Sequence, residues 1–168
     1  MKQKTIIFLL LFVFVILVGS LFAYFKLFKK AKDVHYHAGF QVYVDGKLQD
    51  FSGAKYMLVK PCGKEEKGQE EDEQLEKAHL HDGVGDVVHV EAEGAKWKDL
   101  FQNINFNISD KKQITGYVNR KKIENILDYP IKSYDSVVIF IGKADEKLLK
   151  NSVTKKRIIE VEKENRNC

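Results

Sequence analysis

From Thr5 to Phe25 the chain reads TIIFLLLFVFVILVGSLFAYF, 21 residues without a charge, and nothing else in it restricts folding so severely. As an α-helix rising ~1.5 Å per residue, such a block covers the ~30 Å hydrocarbon core of a bilayer. The expectation is a transmembrane helix over 5–25, with a basic head at 1–4 before it and a linker at 26–33 after it. Val18-Gly19-Ser20 supplies small residues suited to signal-peptide cleavage, but the apolar run continues through Leu21, Phe22, Tyr24 and Phe25, which favours a retained anchor. No cysteine near the end of the block can carry lipid, and Gly does not follow Met1.

Orientation is contested by the flanking charges. Lys2 and Lys4 stand on one side and Lys26, Lys29, Lys30 and Lys32 on the other, so a plain count keeps the C-terminal side in the cytoplasm. A short basic head at the extreme N-terminus is instead how an export signal begins. The expected localisation is therefore single-pass in a membrane, with the C-terminal domain extracytoplasmic. Net charge is +4, from 28 basic and 24 acidic residues, and Lys2 and Lys4 account for two of the excess positive charges. So small a surplus predicts no nucleic-acid partner. The expected partners are the membrane itself and a membrane protein or a metal-receiving protein.

Residues 34–142 read as a small β-rich α+β domain of antiparallel hairpins with one short core helix. Val34 to Val44 is a β-branched and aromatic run, and Asp45-Gly46 after it is a two-residue hairpin signal. Alternation assigns Val34, Tyr36, Ala38, Phe40, Val42 and Val44 to the apolar face, leaving His35, His37, Gly39, Gln41 and Tyr43 on the other. Residues 63–77 hold seven carboxylates between Glu65 and Glu76 and read as a solvated acidic loop or a frayed helix. A second hairpin is expected from Ala78–His81 and Val87–Ala92 around Asp82–Asp86. In that register His79 faces His89 and His81 faces Val87, which puts three imidazoles on one face; a one-residue change of loop length would turn His89 inward.

Trp97, Leu100 and Phe101 are spaced for the buried stripe of a helix over 95–102. Short strands follow at 113–119 and 122–127, then a buried strand at 136–141 ending at Gly142. Residues 144–151 read as a short terminal helix leading into a charged tail, the two together filling 143–168. The pattern Gly116 to Ile123, Leu127 and Ser136 to Gly142 resembles the second half of β-grasp modules, in which a hairpin and a last strand pack on one helix.

Five histidines arranged as two H-x-H pairs plus His89 exceed what random placement gives. On a strand, residues i and i+2 project from one face about 6 to 7 Å apart, near enough for two imidazoles to hold one ion through bonds of about 2.0 to 2.1 Å. The candidate ligands are His35, His37, His79, His81 and His89. Imidazole suits zinc, copper, nickel or iron, so copper or zinc is the expected ion. Cys62 is a possible further ligand, a disulfide partner of Cys168, or a free thiol, and Met57 is the other soft donor. The bland alternative is a set of half-exposed sheet histidines paired with Asp82 and Glu91. No HExxH, phosphate-binding glycine loop or nucleophile elbow is present.

An apolar span, then H-x-H-A-x-F-x-V-Y-V-D-G over 35–46 and H-x-H-D-G followed by H-V-E over 79–91, resembles a group of uncharacterised microbial single-pass membrane proteins. That resemblance implies the importance of the histidine face and implies no activity. Three functions follow from the sequence: a membrane-anchored metal-binding domain for metal handling, sensing or delivery; a metal-dependent enzyme in which three histidines hold the ion and Glu91 or Asp82 is the general base; and a non-metal interaction module displaying a sheet face.

Overall fold

A computed structural model of the chain describes Phe8 and residues 11–20, 34–58, 73–108 and 113–164. The chain divides into two units, Met1–Lys32 and Asp33–Cys168. The expected transmembrane helix over 5–25 is corrected, and with it the single-pass membrane localisation and extracytoplasmic domain: among the described residues no helix is long and apolar enough to cross a membrane. The basic head, the linker 26–33, Cys62, residues 63–72 of the acidic stretch and Cys168 lie outside the described residues.

The second unit is a small α+β domain on a six-stranded mixed sheet. Strand β1 (Tyr36–Val44) turns through Asp45-Gly46 into β2 (Lys47–Leu48), with Tyr43 opposite Leu48. Both turn residues have positive φ, 49° and 79°, as a tight two-residue hairpin requires. Helix α1 (Glu73–Lys77) leads to β3 (Val87–Val90), and α2 (Trp97–Asn103) to the hairpin β4 (Ile114–Val118) and β5 (Lys121–Ile123). The last strand, β6 (Ser136–Ile141), runs parallel to β1 and antiparallel to β4, giving the order β2-β1-β6-β4-β5. This parallel centre corrects the expectation of antiparallel hairpins alone. After Ser136 every residue of β6 is buried, so both of its faces are apolar, and such a strand is stable only with neighbours on both edges and cover on both sides.

Strand β3 shares an edge of β1 with β2. Phe40 N–H donates to the Asp86 carbonyl there, and Gln49 N–H donates to Val42 further along the same edge. Alternation along β1 sends Ala38, Phe40 and Val42 into the main core with Leu80, Val88, Val90, Trp97, Leu100 and Phe101. The opposite face, expected to be open, is covered too. Tyr43, Tyr117, Val138 and Phe140 pack with Leu149, while Val87 packs with Val153, Ile158 and Val161.

The last two of these residues belong to helix α3 (Lys155–Glu164), where a charged tail was expected. Its two buried residues, three apart, give it one narrow buried stripe among lysines and glutamates. Its approach to the sheet depends on Gly39, where a Cβ would lie 2.6 Å from Val153 Cβ.

Candidate metal centre

The pairing register brings the histidines together. His37 on β1 lies directly opposite His89 on β3, and an antiparallel bridge sets His79 opposite His89 from the other side. His89 therefore stands between two imidazoles in a lateral row across three adjacent segments. His79 and His89 exchange both backbone hydrogen bonds, at 3.0 Å each. The amide and carbonyl of β1 at His37 face the other edge, where its carbonyl accepts from Tyr134 N–H, so His37 and His89 form the closer, non-hydrogen-bonded kind of pair.

By the same register His35 falls level with Glu91 and His81 level with Val87, at opposite ends of the row. The expected alignment of His79 with His89 is thus present, as a single bridge rather than a full hairpin. The joining of both H-x-H pairs through β3 has no sequence signal, because it depends on β3 pairing with β1.

Ring centroids lie 4.5 Å apart for His35 and His89, 4.6 Å for His37 and His89, 4.9 Å for His79 and His89, and 4.7 Å for His81 and His89. Two groups of ligand nitrogens result, one from His35, His37 and His89 and one from His79, His81 and His89; within each group the atoms lie within 4.8 Å of one another. Both groups are close enough to hold a metal ion.

Neighbouring groups fix ring orientation. His79 Nδ1 lies 3.1 Å from the Leu75 carbonyl at the end of α1, so Nδ1–H donates and Nε2 keeps its lone pair. His81 Nδ1 lies 2.6 Å from Asp82 Oδ2, which leaves its Nε2 2.8 Å from His89 Nδ1. Such partners behind the ligand set the tautomer and orientation of metal-binding imidazoles. Glu91 sits between two rings, its carboxylate 3.2 Å from His89 Nε2 and 3.9 Å from His79 Nε2. Asp82 and Glu91, named from sequence as histidine partners, are in place; the Leu75 carbonyl was hidden because its segment read as a loop.

His37, His79 and His89 are only 1%, 5% and 6% exposed, so they are not the half-exposed sheet histidines of the bland alternative. At His37 the cover includes α3, which packs on that face of β1 at Gly39, two residues away, and brings the Glu162 carboxylate into its field. His35 is exposed and His81 half-buried, so the row is open to solvent at its two ends. Burial, then the nearby His89 and His35 imidazoles, lower His37 to about 4. Burial and then His89 lower His79 to about 4, and burial is also the main cause that lowers His89. Near neutral pH these three rings are uncharged, the form that ligates a metal.

Among the described residues, neither ring nitrogen of His37 has a hydrogen-bond partner. An unsatisfied buried polar atom costs about 1 to 3 kcal/mol, and such atoms are rare in folded proteins. A cation among the rings would satisfy one of them, so the residues present fit a metal. Met57 packs against the main core, and among the described residues both ligand groups consist of histidine alone. A cleft lined by Phe40, Gln41, Gln49, Phe51, Asp86 and Arg157, among others, includes none of the five histidines. No family model, curated protein or solved structure matches the chain.

Proposed function

We propose that this protein binds copper or zinc through its five-histidine cluster and serves in metal handling, sensing or delivery. The observation that supports this most directly is His37, an imidazole 1% exposed with both nitrogens unpartnered, placed against the ring of His89. A fold that buries a polar ring without a partner bears a cost that an ion removes. All-imidazole donors select against calcium and magnesium, which take oxygen, and suit zinc or copper, copper(II) standing highest in the affinity order.

His35 and His81, at the accessible ends of the row, are where an ion would enter from, or leave to, a receiving protein. The test is equilibrium dialysis of the full chain, free of any affinity tag and stripped with chelator, against micromolar Cu(II) or Zn(II), followed by elemental analysis. At least one ion per chain is expected, and none when all five histidines are replaced by alanine. A native chain that takes up neither metal overturns the proposal.

A further inference from the structure

We infer that the cluster is built for two ions that share His89 as a bridging ligand, an inference that rests on the metal-binding reading above. The five imidazoles fall into two groups of three whose common member is His89. His89 is also the ring with a histidine directly opposite on each side, His37 across one strand boundary and His79 across the other. His35 and His81 extend the row in opposite directions along the strands, so the two groups occupy different ends of the His89 ring rather than one shared pocket.

The two nitrogens of that ring have different neighbours. Nδ1 lies 2.8 Å from His81 Nε2, a separation suited to two nitrogens bound to one ion through bonds of about 2.0 to 2.1 Å. Nε2 lies 3.2 Å from the Glu91 carboxylate, and Glu91 is level with His35 in the strand register. On this inference Nδ1, beside His81, serves one ion and Nε2 the other, with the Glu91 carboxylate, also 3.9 Å from His79 Nε2, between the two ends. Glu91 is placed to add an oxygen ligand beside Nε2. Two such bonds on either side of one imidazole set the ions about 6 Å apart.

Bridging needs both ring nitrogens to be unprotonated. The first ion takes the lone pair of one nitrogen. As the second binds, the N–H proton of the other leaves to solvent, and His89 becomes an imidazolate with a ligand bond at each end. Uptake of the second ion therefore releases one proton from His89 to solvent.

The probe is Cu(II), added stepwise to the metal-stripped, tag-free full chain, with elemental analysis and electron paramagnetic resonance at each step and Zn(II) as a second measure of stoichiometry. Two ions per chain are expected. The Cu(II) signal should rise to one equivalent and fall with the second, because spins joined through an imidazolate couple antiferromagnetically. The paired changes His35→Ala with His37→Ala, and His79→Ala with His81→Ala, should each leave one ion with an uncoupled signal, in variants shown by circular dichroism to keep the native fold. Saturation at one ion, or two ions with an additive uncoupled signal, overturns the shared site while metal binding stands. Absence of any copper or zinc uptake overturns the metal-binding reading as well.

Discussion

At the scale of single residues, His37 carries the conflict between stability and function. Its ring is sealed from water with neither nitrogen satisfied, so the metal-free domain should gain from its loss. His37→Leu keeps an apolar body of similar bulk and removes both orphaned atoms. We expect the metal-free variant to be more stable than the native protein by about 1 to 3 kcal/mol in urea denaturation, and to lose the ion of its own triad in elemental analysis. A less stable metal-free variant would show that the fold itself uses the ring.

The chemistry of this site was legible in the sequence at the level of residue type and spacing. Two H-x-H pairs on strands must each project to one face, because side-chain direction alternates with period two. Burial was not legible, since the same alternation is silent about what packs on that face. Cover at His37 includes a helix more than a hundred residues away along the chain.

Among the elements, β3 and α3 make the centre what it is. β3 inserts His89 between the two H-x-H segments, and its apolar neighbours Val87, Val88 and Val90 leave it no stable place except against β1 with cover on both faces. Helix α3 then closes the face over Gly39, where an added methyl group would meet Val153 at 2.6 Å and Ile158 at 3.3 Å. Gly39→Ala should therefore displace the segment from Val153 to Ile158 and destabilise the domain by about 1 to 3 kcal/mol, the usual range for overpacking. Urea midpoints give the size of the effect, and faster proteolysis within 155–164 would locate it. An unchanged midpoint with unchanged proteolysis would mean that the helix is not seated on the sheet as described.

For the element scale, the sequence signals were local. Asp45-Gly46 and the spacing of Trp97, Leu100 and Phe101 act within a few residues, and the structure has the hairpin and the helix they indicate. The parallel pairing of β1 with β6 joins residues nearly a hundred positions apart, and nothing near either strand encodes its direction. Helix α3 was missed because two buried residues, Ile158 and Val161, are too few to mark a periodic stripe among so many charges.

The whole molecule should report its buried imidazoles through the pH dependence of its stability. His37 and His79 sit at about 4 in the fold against an ordinary 6.5, and His89 is lowered as well. Below pH 6.5 the unfolded chain takes up protons that the folded one refuses until about pH 4, so stability is whole above 6.5 and declines through that window. The decline for the cluster should amount to a few kcal/mol, at about 1.4 kcal/mol per pK unit and less where the rings relax together. Denaturation of the metal-free chain at pH 7.5, 5.5 and 4.5 measures it, and the Zn(II)-loaded chain should fall more steeply, because protons also displace the ion. Equal stability of the metal-free chain at all three values would contradict buried, neutral imidazoles.

By itself the sequence determined which residues can do metal chemistry and where the first hairpin turns, because those properties depend on residue type and on neighbours a few positions away. It also carried an uncharged block that reads as a membrane span, yet among the described residues no helix is long and apolar enough to be one. Only the tertiary structure decided that the two H-x-H pairs meet, that His89 lies between them and that three of the five rings are dry. Those outcomes depend on strand partners and on a covering helix far apart in sequence, and contact between distant segments follows from the packing of the whole domain, which no local pattern specifies.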